Sequence, residues 1–292
     1  MPEDAGVARE DRSYTDAWGI RIHAYLWPAR EPRGIVQIAH GVGEHARRYE
    51  HVAQALAAAG WTVVADDHRG HGATGLGQHG GDHARLGRLG PGGTHAATEG
   101  VRGLTRLVRE ELPGLPLAIL GHSWGSLLAQ RIIDRHAGEY EAVVLSGTAL
   151  RTLRRMNGGD LAKRHRPPGG GTGVEWLSRD PEVAEAFLAD PLTLDAKVPQ
   201  LFGVLEAAKL LGTPRRLARD IPMLIQIGSE DTLGGPRSVE LLAAAYRRAG
   251  LSEVEVQIYE GARHEVYNET NRAEVIAELA DWLDRHLAPA PA

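Results

Sequence analysis

The chain has 292 residues, 42% of them hydrophobic and 24% charged, with a formal net charge of −5. This is a globular profile, long enough for one large core or a core with a small accessory domain, and it gives no reason to expect nucleic acid or an anionic membrane as a partner. The absence of cysteine excludes disulfides, a thiol nucleophile and cysteine-based zinc sites, and fits a reducing, cytoplasmic compartment. The opening stretch "MPEDAGVAREDRSY" is acidic and lacks the apolar segment of a signal peptide. No run of about 18 apolar residues follows it anywhere, so no transmembrane segment is expected. The closing "APAPA" reads as a frayed end.

In chain order, "RIHAYLW" (21–27) alternates like a half-exposed strand. "GIVQIA" (34–39), "WTVVAD" (61–66), "LPLAIL" (115–120), "EAVVLS" (141–146), "PMLIQIG" (222–228) and "VEVQIYE" (254–260) read as buried strands. Helical patterns lie between them. "ARRYEHVAQALAAAG" puts Tyr49, Val52, Ala53 and Leu56 on one stripe and stops at Gly60. "PRSVELLAAAYRRAG" starts with proline and stops at Gly250, the usual asymmetry of helix punctuation. The last helix begins near Asn271, which with Glu274 is placed like a capping box, and its stripe is Val275, Ile276, Leu279, Trp282 and Leu283.

Strand–helix alternation argues for an α/β fold with a mostly parallel central sheet flanked by helices. From about Ala149 to Asp220 the rhythm breaks. A basic stretch, "RTLRRMNGGDLAKRHRPPGGGTG", leads into the short helical patterns "PEVAEAFLA" and "VPQLFGVLEAAKLL". The division expected is core at 1–148, helical cap at 149–220 and core again at 221–292, with Pro167 to Gly173 mobile.

"LAILGHSWGSLLAQRII" places Gly121-His122-Ser123-Trp124-Gly125 between a strand and a helix, the context that G-x-S-x-G requires. Such a turn exposes the serine oxygen and aims the next N–H at the same spot. A serine hydroxyl needs a base, and the base an orienting acid. On this kind of fold they follow in the order acid, then histidine. Asp231 stands just past one strand, with Glu230 as the alternative acid, and His264 stands past the last strand, both at the carboxyl ends where open sheets build their sites. A tetrahedral intermediate also needs preorganised donors for its oxyanion. The Trp124 N–H is one. "HGVGEH" (40–45) supplies the other, the N–H of Val42, with Gly41 and Gly43 allowing close approach and His40 and His45 holding the loop. The histidines at 40, 45, 51, 68, 71, 79 and 83 invite a metal reading, but no H-E-x-x-H motif frames them, so no metal and no cofactor is expected. "DDHRGHGATG" (66–75) is expected to pack against the site instead. In the cap, Val183, Phe187, Leu188, Leu201, Val204 and Leu205 are candidates for an acyl pocket above Ser123.

The set "HGVGEHARRY", "DHRGHG", "GHSWGS", "GSEDTLGG", "GARHEVYNE" and the cap segment "LSRDPEVAEAFLADPL" resembles the monoacylglycerol lipase and lysophospholipase-like branch of the α/β-hydrolases, from about Gly19 to Leu287. The resemblance implies an α/β-hydrolase fold with a cap lining an apolar acyl pocket. It implies Ser123 as nucleophile, Asp231 and His264 as its partners, and Val42 and Trp124 as oxyanion donors. The implied substrate is a small-molecule ester, a monoacylglycerol or similar, met with transient contact of the cap with a lipid surface. Two features depart from the branch. Trp124-Gly125-Ser126 stands where it has Met-Gly-Gly, and "SWGS" is more similar to the proline iminopeptidases, which carry H-G-G-P-G at the oxyanion loop. The stretch 151–173 is also unusually basic and glycine-rich. An aminopeptidase would use cap acids such as Glu175, Asp180, Glu182 and Glu185 to hold an ammonium group, and a catalytically idle member would only bind a ligand.

Overall fold

The computed structural model describes residues 6–195 and 197–287. The "APAPA" tail, the first five residues of the N-terminal stretch and Ala196 of the cap lie outside them. Eight strands form a single sheet: β1 (Glu10–Thr15), β2 (Arg21–Trp27), β3 (Gly34–Ala39), β4 (Trp61–Asp66), β5 (Leu117–His122), β6 (Ala142–Ser146), β7 (Met223–Gly228) and β8 (Val254–Tyr259). Their spatial order is β1-β2-β4-β3-β5-β6-β7-β8. The β1–β2 and β2–β4 pairs are antiparallel, and every other pair is parallel.

Buried parallel strands read as continuous apolar runs because both faces are covered. One face carries α1 (Glu50–Ala58) and α9 (Arg272–Leu287). The other carries α3 (Gly93–Glu111), α4 (Trp124–His136) and α8 (Gly235–Ala249). Alternation divides each strand between them: Ile35 and Ala39 of β3 join the α3–α4 side, Val36 and Ile38 the α1–α9 side. A short α2 (Gly72–Gln78) follows β4.

Several sequence expectations are corrected. β1 was not expected, because "EDRSYT" is a charged edge strand that keeps only alternate residues half-buried. The strand at 115–120 lies two residues later. Asn271 and Glu274 do not form a capping box. The Asn271 amide donates to Glu274 Oε2 at 3.1 Å, its Oδ1 accepts from Arg179, and the Glu274 N–H bonds the Asn271 backbone carbonyl.

No strand interrupts the cap among the described residues. It contains a 3₁₀ turn at Leu161–Arg164, α5 (Pro181–Ala189), α6 (Val198–Phe202) and α7 (Val204–Ala208). The second helical pattern is two helices because Gly203, at φ 83° and ψ 155°, breaks it. The stretch 167–173 is a turn in which the Glu175 carboxylate accepts from the N–H groups of Thr172 and Gly173.

The strand order reverses at β3, with β4 on one side and β5 on the other, so the carboxyl ends of β3 and β5 flank the crevice where such sheets bind ligands. The approach there is close. A Cβ on Gly125 would sit 2.1 Å from the Ala39 carbonyl oxygen and 2.5 Å from that of His40. Both are backbone atoms that cannot rotate aside. By contrast, a Cβ on Gly100, inside α3, meets nothing within 4 Å. Gly125→Ala is therefore expected to cost about 3 kcal/mol of stability. Gly100→Ala should add about 0.5–1 kcal/mol. Midpoints of urea unfolding measure both.

Candidate active site

β5 ends in a turn whose residue Ser123 has φ 51° and ψ −120°. It is the one non-glycine residue with positive φ among the described residues. That conformation costs on the order of 1–3 kcal/mol and persists where the surroundings enforce it. Here the Ser123 N–H donates to the Ser146 carbonyl at 2.9 Å. On the other side the Ser126 hydroxyl donates to the Ser123 carbonyl at 2.5 Å and lies 2.8 Å from Thr148 Oγ1. Ser123 lines a pocket with Val42, Trp124, His264 and Phe187.

His264 sits past β8 and is buried. Its Nδ1–H donates to Asp231 Oδ2 at 2.9 Å, and Asp231 Oδ1 accepts from the Leu233 N–H at 2.7 Å. That bond leaves Nε2 as the lone-pair nitrogen. Nε2 is buried and has no hydrogen-bond partner among the described residues. Glu230 turns away from the histidine to pair with Arg164 at 2.5 Å. Neither the Val42 nor the Trp124 N–H donates to a partner among the described residues.

Burial opposes a charge on His264. The charge and hydrogen bond of Asp231, with Glu265 and Glu44 further off, outweigh it and hold the imidazole above the ordinary histidine value. Neighbouring His122, whose ring lies 4.8 Å away, is kept well below that value, first by burial and then by His264. It therefore stays neutral beside the imidazole.

The loop after β3 is built around a buried cluster that sequence reasoning did not assemble. Glu44 Oε1 accepts from the Gly41 N–H at 2.5 Å and from the Tyr49 hydroxyl at 2.9 Å. Arg48 donates to Glu44 Oε2 at 2.7 Å and, through two nitrogens, to both oxygens of Glu265 at 2.6 and 2.8 Å. A Cβ on Gly41 would fall 2.6 Å from Glu44 Oε1 and 3.1 Å from Ser123 Cβ, so only glycine fits beside the serine. Part of the signal is in "HGVGEHARRY", which supplies Glu44, Arg48 and Tyr49; the fourth member, Glu265, comes from the loop of His264.

His40 and His45 hold this loop from either side. His40 bonds the Gly41 carbonyl and accepts from the His68 N–H at 2.9 Å, and His45 bonds Asp190 of the cap at 2.8 Å. His40, His68, His71 and Trp124 pack ring against ring, which sets "DDHRGHGATG" against the site. Burial holds His40 well below the usual histidine value and brings His71 down to about 4, so both stay uncharged. Among the described residues, the group placed to share a metal ion is elsewhere: Glu253 just before β8, Glu255 on β8 and His286 on α9.

The cap contributes differently from expectation. Phe187 lines the pocket and packs on the Arg48 guanidinium. Leu188 (55% exposed) and Leu205 (82% exposed) point outward, as does Val204, and Leu201 packs over Gly87. None of these four lines the pocket, and neither does Val183. Its apolar walls are Val174, Trp176, Leu177, Leu194 and Val198. Trp176, which carried no sequence signal, lies over the His264 ring at 4.6 Å. Its segment is strapped to the histidine loop. The Glu265 N–H donates to the Leu177 carbonyl at 2.8 Å, Arg263 to the Ser178 carbonyl at 2.9 Å, and Arg179 to Glu269 at 2.9 Å.

A family model described as "Serine aminopeptidase, S33" matches residues 30–271. A monoacylglycerol lipase of Mycolicibacterium smegmatis is 36% identical over 290 residues, covering 96% of this chain and 98% of its own. The chain belongs to the monoacylglycerol-lipase-like α/β-hydrolases. A human monoglyceride lipase is 27% identical, covering 99% of this chain and 98% of its own. The structure of a highly thermostable carboxyl esterase from Bacillus coagulans matches this hydrolase with a TM-score of 0.83 at 26% identity, over 96% of this chain and 99% of that one. The chain is accordingly a serine hydrolase that cleaves esters. No helix among its described residues is long and apolar enough to cross a membrane.

The balance of forces on His264 gives a measurable expectation. In this hydrolase the imidazole should titrate above about 6.5, the unperturbed histidine value. Asp231→Asn removes the strongest influence favouring the protonated form and leaves only Glu265 and Glu44 against burial, so the titration should move down. The NMR resonances of His264 followed against pH measure both shifts.

Proposed function

We propose that the chain hydrolyses monoacylglycerols and other small to medium acyl esters, with Ser123 as nucleophile, His264 as general base and acid, and Asp231 as its orienting partner. The observation that carries this reading is the unpartnered Nε2 of His264, buried at the pocket that Ser123 lines. Ser123 Oγ attacks the ester carbonyl carbon while Nε2 takes its proton. The oxyanion is held by the N–H groups of Val42 and Trp124. As the intermediate collapses, the C–O bond breaks and His264 returns the proton to the leaving alcohol. Water, deprotonated by His264, then attacks the acyl carbon; the bond to Ser123 Oγ breaks, His264 returns the proton to that oxygen, and the acid is released. The core is 1–148 and 221–292, and the cap, 149–220, covers the acyl group.

Support for a modest acyl length comes from the pocket, about 170 Å³, below the roughly 300–1,000 Å³ of drug-sized ligand sites. Of the cap acids, Glu175, Asp180, Glu182 and Glu185 do not line it. Glu175 closes its own turn, and Asp180 caps α5 and pairs with Arg272. Of the carboxylates that do line it, Glu44 and Glu265 are engaged by Arg48 and Asp160 by Arg166, while Asp195 shares the lining with Lys197. The exposed Leu188, Val204 and Leu205 support transient contact of the cap with a lipid surface.

Ser123→Ala is expected to lower turnover by about 10⁴- to 10⁶-fold and to abolish labelling by a fluorophosphonate probe. Asp231→Asn should cost far more activity than Glu230→Gln, and a kinetic comparison giving the reverse order would transfer the orienting role to Glu230. Specificity constants for monoacylglycerols, short p-nitrophenyl esters, triacylglycerols and aminoacyl naphthylamides should fall in the order esters, triacylglycerols, amides. An amide ahead of every ester would make the chain a peptidase.

The pocket wall generates a separate expectation. With monomeric p-nitrophenyl esters, Phe187→Ala should change the preference between acetyl and octanoyl chains, whereas Leu205→Ala should leave it unaltered.

A further inference from the structure

We infer that a second cleft, at the root of the cap, binds a phosphate dianion. The two ends of the cap meet there. The Gly212 N–H donates to the Arg151 carbonyl at 2.8 Å, and Arg151 Nη1 donates to the Leu210 carbonyl at 3.1 Å. Between this junction, α3 and α4 lies a cleft of about 290 Å³, far more than the roughly 30 Å³ a water occupies. It shares no lining residue with the Ser123 pocket. Arg131, on its wall, stands ~12 Å of helix beyond Ser123.

Arg131, Arg135, Arg151 and Arg215 line the cleft. Asp134 and Glu99 share its walls, and both are already engaged. Asp134 accepts from Arg151 Nη2 at 2.7 Å and from the Arg215 N–H at 3.2 Å, and Glu99 pairs with Arg102 at 2.8 Å and Arg106 at 3.8 Å. Arg131, Arg135 and Arg215 are left without a carboxylate among the described residues. Arg131 is the most telling. One of its terminal nitrogens bonds the Lys209 carbonyl, while its Nε is buried with no acceptor among the described residues. Burial first, then repulsion from Arg151 and Arg135, weakens its hold on its proton.

A buried donor left without an acceptor is costly, and more so when its neighbours repel it. An anion in the cleft relieves the repulsion among these guanidinium groups. The guanidinium fork matches the oxygens of a phosphate, and two negative charges answer the excess of cations better than the single charge of a carboxylate. His95 and His136, also on the wall, add ring nitrogens that can donate. A cleft of about 290 Å³ takes a compact ligand rather than a length of polyanion. It is a free phosphate, a small phosphate monoester or a lipid phosphate head group.

Isothermal titration with inorganic phosphate, at an ionic strength fixed with chloride, tests this on the full chain. One phosphate per chain should bind. Arg131→Gln and Arg215→Gln should each weaken it by about tenfold or more, the worth of one charge-assisted bond. Arg285→Gln, far off on α9, should not. The rate of fluorophosphonate labelling without phosphate should be the same in Arg131→Gln as in the wild type, which shows that the fold and the serine site are intact. Sedimentation with phosphatidic acid in phosphatidylcholine vesicles, reversed by phosphate and lost in the same variants, would assign the phosphate to a lipid head group. Phosphate binding without sedimentation would assign it to a soluble ligand. No saturable binding of phosphate by the wild type, or undiminished binding by the Arg131→Gln Arg215→Gln double variant, overturns the proposal.

Discussion

The site depends on one buried guanidinium. Arg48 stands between Glu44 and Glu265 and joins two loops that are far apart in the chain, the one after β3 and the one that carries His264. Its partners are not equivalent. Burial works against the charge on Glu265, but the two-pronged bond from Arg48 prevails and brings that carboxyl down to about 2. Burial and the nearby Glu265 charge push Glu44 the other way, against a single bond from Arg48. Glu44 is stabilised instead by the N–H of Gly41 and the hydroxyl of Tyr49, and in accepting them it fixes the backbone beside Ser123. A buried ion group of this kind adds little net stability, but losing one member costs about 3–5 kcal/mol because it leaves an unpaired charge. Its use here is positional: the amide of Val42 and the ring of His264 are both referred to the same side chain.

What the sequence reveals follows from which residues meet water. β3 and β4 run over Gly34–Ala39 and Trp61–Asp66 as expected, because strands covered on both faces need unbroken apolar runs. β1 is invisible for the opposite reason: as an edge strand it is charged, and only its pairing with β2 makes it a strand. Helix α3 also escaped notice, its stripe of Ala97, Val101, Leu104 and Val108 diluted by glycines and threonines. Ser123, His264 and Asp231 could be singled out because each lies just past a strand, at the end of the sheet where such folds build their sites. Choosing between Glu230 and Asp231 is beyond one-dimensional information, since adjacent residues face opposite ways and only the turn decides. The cap shows the same limit. Apolar periodicity in α5 to α7 marked Leu188 and Leu205, which face outward, while the cap's share of the wall includes Val174, Trp176, Leu177 and Leu194, which lie outside its helices and so have no period to detect.

The departure at Ser126 has a structural account. Its hydroxyl bonds the carbonyl of Ser123 and meets Thr148, which accepts from Gln130 at 2.9 Å. Gln130 in turn accepts from Arg151 Nε at 3.0 Å. A line of polar side chains thus runs beneath α4 from the strained turn to the root of the cap, and each member but the first is used by two neighbours. The indole of Trp124 fills the space on the other side of the turn, against His68, His71 and Phe202 of α6. Trp124 and Ser126 both take part in linking the turn to the cap, one through apolar contact and one through hydrogen bonds.

The strap between the cap and the histidine loop limits how a substrate enters. Trp176 to Arg179 are bonded to Arg263, Glu265 and Glu269, and Trp176 lies on the imidazole itself. Raising that edge would pull on the very loop whose geometry the reaction requires. The opposite margin is tied in the same way to the acid loop: the Asn157 N–H donates to the Leu233 carbonyl at 2.7 Å, and the Thr232 hydroxyl donates to the Leu161 carbonyl at 2.8 Å. The loop of His264 and the loop of Asp231 thus each carry a segment of the cap, so a displacement of the cap would be felt at the bond between those two side chains.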